Sequence, residues 1–147
     1  MSQVVVTSRS GGSLQHEIQA GKHTFIADAA QDIGGGETGP DPHDLLLASL
    51  GACTSMTLQL FAKRREWKLD SVNVKLSEET IEDPSTPGKK ISKITRDIEV
   101  KGQLDQEQID TLKKIADKCP IHKLLVEAKQ IVTSLCDQGV ESSGRVG

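Results

Sequence analysis

The sequence predicts an α+β fold, on three observations. One long segment, Gly39 to Trp67, keeps a single helical period. The segments on both sides of it alternate apolar and polar residues with the period of two that belongs to strands. No strand–helix–strand rhythm runs through the chain, which argues against a doubly wound sheet.

The elements follow in order. Residues 3–8, QVVVTS, predict a strand, and Arg9 to Ser13 a turn rich in Gly and Ser. Leu14–Gln19 and His23–Asp28 predict a hairpin about Ala20-Gly21-Lys22. Gln31 to Gly39 is a connector. Its Gly34-Gly35-Gly36 run has neither the spacing of a dinucleotide or phosphate loop nor a Lys-Ser/Thr at its end, and is taken as flexible backbone.

In the long helix, Asp41 is placed to cap the first turn, Pro42 to occupy the first helical position, and Asp44 to favour its free N–H groups. Leu46, Ser49, Leu50, Cys53, Met56, Thr57 and Leu60 recur at spacings of three and four and predict the buried stripe. Gly51 costs helix propensity in the middle of this segment, so something is expected to pack unusually close to it. A helix of this length suits the centre of an assembly, at a dimer seam, better than the surface of a small domain.

Val72, Val74 and Leu76 then alternate with polar residues, as do Ile94, Arg96, Ile98 and Val100, predicting a long antiparallel hairpin with a Pro/Gly loop over 80–90. Glu78 and Glu79, and Glu82 with Asp83, are expected to be solvated. Asp105 with Gln108 predicts a capped helix whose apolar face carries Ile109, Leu112, Ile115, Ala116 and Cys119. Pro120 interrupts it and opens a shorter helix over 121–127; Ala128 to Leu135 predicts a last strand. Residues 1–138 form one domain on this reading, and 139–147 a flexible C-terminal tail.

The chain has 147 residues, 35% hydrophobic, 27% charged and 2% aromatic, with 18 basic and 21 acidic side chains giving a formal charge of -3. That balance points away from nucleic acid. No leading segment resembles a signal peptide, and no run is expected to reach the roughly 20 apolar residues that span a bilayer; a cytoplasmic location without membrane attachment is expected. Three cysteines, Cys53, Cys119 and Cys136, lack any C-x-x-C spacing and predict free thiols rather than a disulfide scaffold.

Cys53 and Cys119 both fall on apolar helix faces, where an inert packed cysteine also belongs. Pro120 would leave Cys119 at the cap of the next helix, facing free N–H groups that favour thiolate. Cys53 has no such local device and needs a donor from elsewhere. Cys136 is taken as packing or as a bystander. His43 and His122 together with the two cysteines are ligand types that zinc accepts, but their spacing does not suit a metal site, and no metal or cofactor is expected. His122 could instead orient a thiolate or receive a proton, or be a half-exposed histidine with no role in the site.

The stretch GPDPHDLLLASLGACTSMTLQLFAKRREW, followed later by DKCPIHKLL, resembles the OsmC/Ohr family of osmotically inducible and organic-hydroperoxide-resistance proteins, closest to its OsmC-like branch. The resemblance covers nearly the whole chain. It implies an intertwined homodimer in which antiparallel sheets wrap around long central helices, with two active sites at the subunit interface. It implies a thiol peroxidase in which Cys53 is peroxidatic and Cys119 resolving. The substrate would be a small-molecule hydroperoxide and the reductant an external dithiol. Family sites also hold an N-terminal arginine, for which Arg9 is the one match here, and a glutamate soon after the helix-opening proline, where this chain has His43. The alternative is a non-enzymatic dimeric domain that binds a small apolar ligand and keeps its thiols buried.

Overall fold

A computed structural model of the chain describes residues 3–136; the tail expected over 139–147 lies outside them. Three antiparallel strands come first: β1 (Val4–Ser8), β2 (His16–Ala20) and β3 (His23–Ala27), in the sheet order β1-β2-β3. Gly21, at φ 63°, supplies the positive dihedral that the two-residue turn between Ala20 and His23 requires.

The Gly-rich connector is organised rather than loose. The buried Asp28 carboxylate accepts the backbone N–H groups of Ala29, Gly36 and Thr38 and the Thr38 hydroxyl, folding the segment around one side chain. A short 3-10 turn, Gln31–Ile33, fills its first half. These bonds hold Asp28 well below the usual carboxylate range, at about 2, with the Thr38 hydroxyl the largest cause.

Helix α1 (Pro42–Arg64) begins as the sequence predicts: Asp41 accepts from the Asp44 N–H and Asp44 accepts from the Asp41 N–H, a reciprocal box with Pro42 just inside. It ends where Glu66, at φ 58°, turns the chain so that the Trp67 N–H reaches the Ala62 carbonyl. Strands β4 (Lys68–Glu82) and β5 (Lys90–Gln103) form a separate two-stranded antiparallel sheet, pairing Val72 with Val100, Val74 with Ile98 and Leu76 with Arg96. The pairing runs further into the predicted loop than the prolines suggest, with Glu82 opposite Lys90. Helices α2 (Gln106–Ala116) and α3 (Pro120–Val126) follow, α2 opened by an Asp105–Gln108 capping box.

The core lies where α1 and α2 meet the β4–β5 face. Leu58, Leu112 and Ala116 are its buried centre, with Phe61, Trp67, Leu69 and Ile98 against them. Truncating Leu58, which is fully buried, would cost about 2–5 kcal/mol.

Three expectations need correction. The face of α1 turned into the chain is Leu50, Gly51, Thr54, Leu58 and Ala62, while Leu46, Met56 and Leu60 stay exposed. The small side chains let the helix close onto the hairpin: a Cβ on Gly51 would stand 2.7 Å from a Leu76 methyl. The predicted stripe is a real periodicity, but apart from Leu50 and the half-buried Cys53 and Thr57 it faces away from this chain's own core. The second correction concerns 128–136, which has no secondary structure. Its Ile131, Val132 and Leu135 are 84–86% exposed, because no strand edge of the described residues pairs with it. In addition, α1, with 23 residues and a mean hydropathy of 1.6 over its most apolar stretch, is long and apolar enough by composition to cross a membrane, contrary to the sequence expectation. Part of that apolarity is its packed inner face.

Candidate active site

The cap of α3 brings the two thiols together. Cys119 is the N-cap residue, Pro120 opens the helix, and the His122 N–H points at the Cys119 sulfur, 3.4 Å away. Cys119 is fully buried; Cys53, reaching across from α1, is half-buried. The Cys53 thiol donates a hydrogen bond to the Cys119 sulfur and accepts from the Ile121 N–H and the Thr57 hydroxyl. Cys53 thus has one donor from α3, the Ile121 N–H, and one from the next turn of its own helix, Thr57.

These contacts divide the charge. Burial, followed by donation to Cys119, pushes the Cys53 thiol up. Burial also works to raise Cys119, but the bonds from Cys53, from the His122 and Ile121 N–H groups and from the Thr54 hydroxyl more than offset it, and Cys119 is lowered. In the resting pair the negative charge favours Cys119, the capping thiol, rather than the long helix's Cys53 that the family resemblance makes the attacking group.

Arg96, which the sequence shows only as one member of an alternating strand, lies beside the pair. Its guanidinium, with the side chain 13% exposed, donates to the Thr54 hydroxyl at 3.0 Å and to the Ala116 carbonyl at 3.4 Å, and it pairs with Asp117 at 2.8 Å. An arginine on the inward side of a strand, between Ile94 and Ile98, is the signal that could have found it. Leu50, Ile94, Arg96, His122 and Leu125 help to line a cavity of ≈ 430 Å³, to which neither cysteine contributes.

The other candidates are elsewhere. Arg9 pairs with Glu17 of β2 at 3.7 Å, and among the described residues nothing links it to either sulfur. His43 stands at the first turn of α1, roughly 15 Å along the helix from Cys53. Its Nδ1 meets Glu78 at 2.6 Å, and Glu78 also accepts from Ser92; Glu78 is therefore an inward-facing partner, not a solvated one. His43, His122 and the cysteines do not converge, and no cluster of three potential metal ligands occurs among the described residues. Cys136 is exposed rather than packed.

Comparison with known proteins bears on the fold. The family model described as OsmC-like protein matches residues 34–134. No curated protein matches the sequence. Among solved structures, the chain is similar to an OsmC-like protein of Mycoplasma pneumoniae at a TM-score of 0.69 and 16% identity, covering 85% of this chain and 86% of that one. It is similar to an organic hydroperoxide resistance protein of Elizabethkingia anophelis at 0.63 and 19% identity, covering 86% and 88%. The organic hydroperoxide resistance protein OhrB of Bacillus subtilis is similar at 0.56 and 25% identity, covering 86% and 90%.

Proposed function

The chain belongs to the OsmC-like protein family, and on that premise we propose that it is a thiol-dependent peroxidase that reduces organic hydroperoxides to alcohols. The observation that carries this reading is the hydrogen-bonded pair of Cys53 and Cys119, one sulfur reachable from outside and the other sealed behind it. The names of the Elizabethkingia and Bacillus proteins agree with it.

In this proposal the pair reacts once one of its two protons is lost and the other is shared. When it passes to Cys119, Cys53 is the thiolate, held by the Ile121 N–H and the Thr57 hydroxyl. The Cys53 sulfur attacks the terminal oxygen of the hydroperoxide. The O–O bond breaks, the alkoxide takes up a proton and leaves as the alcohol, and Cys53 becomes a sulfenic acid, oxidised by two electrons. Cys119, again a thiolate, attacks that sulfur; hydroxide leaves and is protonated to water, and a Cys53–Cys119 disulfide results. An external dithiol restores both thiols. Leu46 and Met56, exposed on the same side of α1 as Cys53, favour an alkyl hydroperoxide over hydrogen peroxide.

The working form in this proposal is an intertwined homodimer. An exposed apolar row on α1 and the exposed Ile131, Val132 and Leu135 are faces that a second copy would cover. Arg9 and His43, distant from the thiols within one chain, could then serve the partner's site. The reducing cytoplasm is the compartment this chemistry suits. The alternative is a non-enzymatic domain that binds a small apolar ligand in the dimer crevice; the cavity beside Arg96 mixes Ser92, Arg96 and His122 with Leu50, Ile94, Leu125 and Val126 and does not by itself select an apolar ligand.

The test is turnover of tert-butyl or cumene hydroperoxide with a dithiol reductant. Cys53→Ser should abolish turnover, and a Cys53→Ser protein that keeps the parent's rate would refute the proposal. Under the ligand-binding alternative, neither Cys53→Ser nor Cys119→Ser alters ligand affinity, and the parent does not turn over.

A further inference from the structure

We propose that Arg96 is a positioning residue for the thiol pair: by pinning the Thr54 hydroxyl between α1 and α3, it sets which of the two sulfurs carries the charge. This role rests on the thiol chemistry above and deepens it.

Thr54 is fully buried on the inner face of α1. Its hydroxyl has one proton to give and two lone pairs. The Arg96 guanidinium occupies a lone pair at 3.0 Å, and Thr54 stands within hydrogen-bond reach of two acceptors, the Leu50 carbonyl at 2.7 Å and the Cys119 sulfur. A neutral thiol at Cys119 leaves the proton on Leu50, a back-bond that a helical threonine makes readily. A thiolate at Cys119 draws it across, as a charge-assisted bond. Arg96 polarises the hydroxyl and prevents it from turning away. The guanidinium is itself fixed by the Ala116 carbonyl and Asp117, at the end of the helix that leads into Cys119.

The charged and titratable groups around the pair come from every packed element. β5 brings Arg96, the end of α2 brings Asp117, and α3 brings His122, whose Nδ1 is 4.0 Å from Asp117. β4 brings Glu78, held at the far end of α1 by His43 and Ser92, and Lys118 next to Cys119 is exposed. Between Asp44 and Lys63, α1 carries no charge. Arg96 is thus the half-buried cation that reaches the sulfurs through a single hydroxyl.

Titration of the thiolate ultraviolet absorbance, in a Cys136→Ser background so that only the pair is followed, tests this without relying on turnover. Thr54→Val, which keeps the side-chain shape, and Arg96→Met should each raise the first thiol titration by about one unit, a roughly tenfold loss of thiolate below it. Arg96→Lys should keep part of the lowering. The double variant should go no further than the larger single effect, since both act through one hydroxyl. An unchanged titration in Thr54→Val, or in Arg96→Met of parental circular dichroism, overturns the proposal, and so does strict additivity. A parent protein that shows these shifts yet loses no thiol to hydroperoxide refutes the peroxidase reading alone.

Discussion

The Cys53 thiol donates a hydrogen bond to Cys119 across the contact between α1 and α3, which helps to raise Cys53 and to lower Cys119. The division of labour follows from their exposure. In the proposed reaction the half-buried sulfur meets the oxidant, and the buried one, at a helix cap, closes on it.

Cys119→Ser removes the second sulfur without removing the first. This variant should consume one equivalent of hydroperoxide per chain and then stop, leaving a sulfenic acid on Cys53 that a dimedone-type reagent traps. Continued turnover with excess hydroperoxide, measured by consumption assay, would show that resolution comes from another thiol.

His43 and Glu78 tie the start of α1 to β4. The bond to Glu78 raises His43 above the ordinary imidazole range, while Ser92 and then His43 lower Glu78. A raised histidine contributes stability in full below about pH 6.5 and loses it as pH climbs through the raised value; the lowered carboxylate loses its share as pH falls through its own. The stability difference between parent and His43→Ala, from urea unfolding across pH, should therefore be greatest in mildly acidic solution and fade toward both alkaline and strongly acidic pH. A pH-independent difference would assign the loss to packing.

Asp28 makes the connector sensitive to acid. Its carboxyl, at about 2, contributes stability above the ordinary carboxylate value and loses it as pH falls through its folded value. Asp28→Asn should be less stable than the parent at neutral pH, and the two should converge as pH drops toward about 2. Thr38→Val, which removes the strongest donor, should shift that convergence to higher pH.

Gly51 stands where α1 and β4 come closest. Gly51→Val places a branched side chain against Leu76 and should destabilise by roughly 1–3 kcal/mol in denaturant unfolding. Leu76→Ala in the same chain should recover part of that loss. Simple additivity of the two would show that the glycine is there for another reason.

The elements were legible because their signals are local. Asp41 with Asp44, Asp105 with Gln108, and Cys119 with Pro120 each mark a helix start from within a few residues. The orientation of α1 was not legible, since both of its faces are apolar and the packed one is chosen by the small size of Gly51, Thr54 and Ala62. Residues 128–135 have a strand's pattern, but a strand also needs an edge to join. The two cysteines of the candidate site were visible. Thr54, Arg96 and Glu78 were not, because each takes its meaning from a partner on another element: Cys119 and Arg96, Thr54 and Asp117, His43 and Ser92.

The central claim is most directly tested by mass spectrometry of the protein after one equivalent of tert-butyl hydroperoxide, digested without reduction. The account predicts a peptide pair joined through Cys53 and Cys119 in nearly every chain, with no bridge to Cys136. Intact thiols at both positions, or a disulfide that uses Cys136 instead, would contradict it.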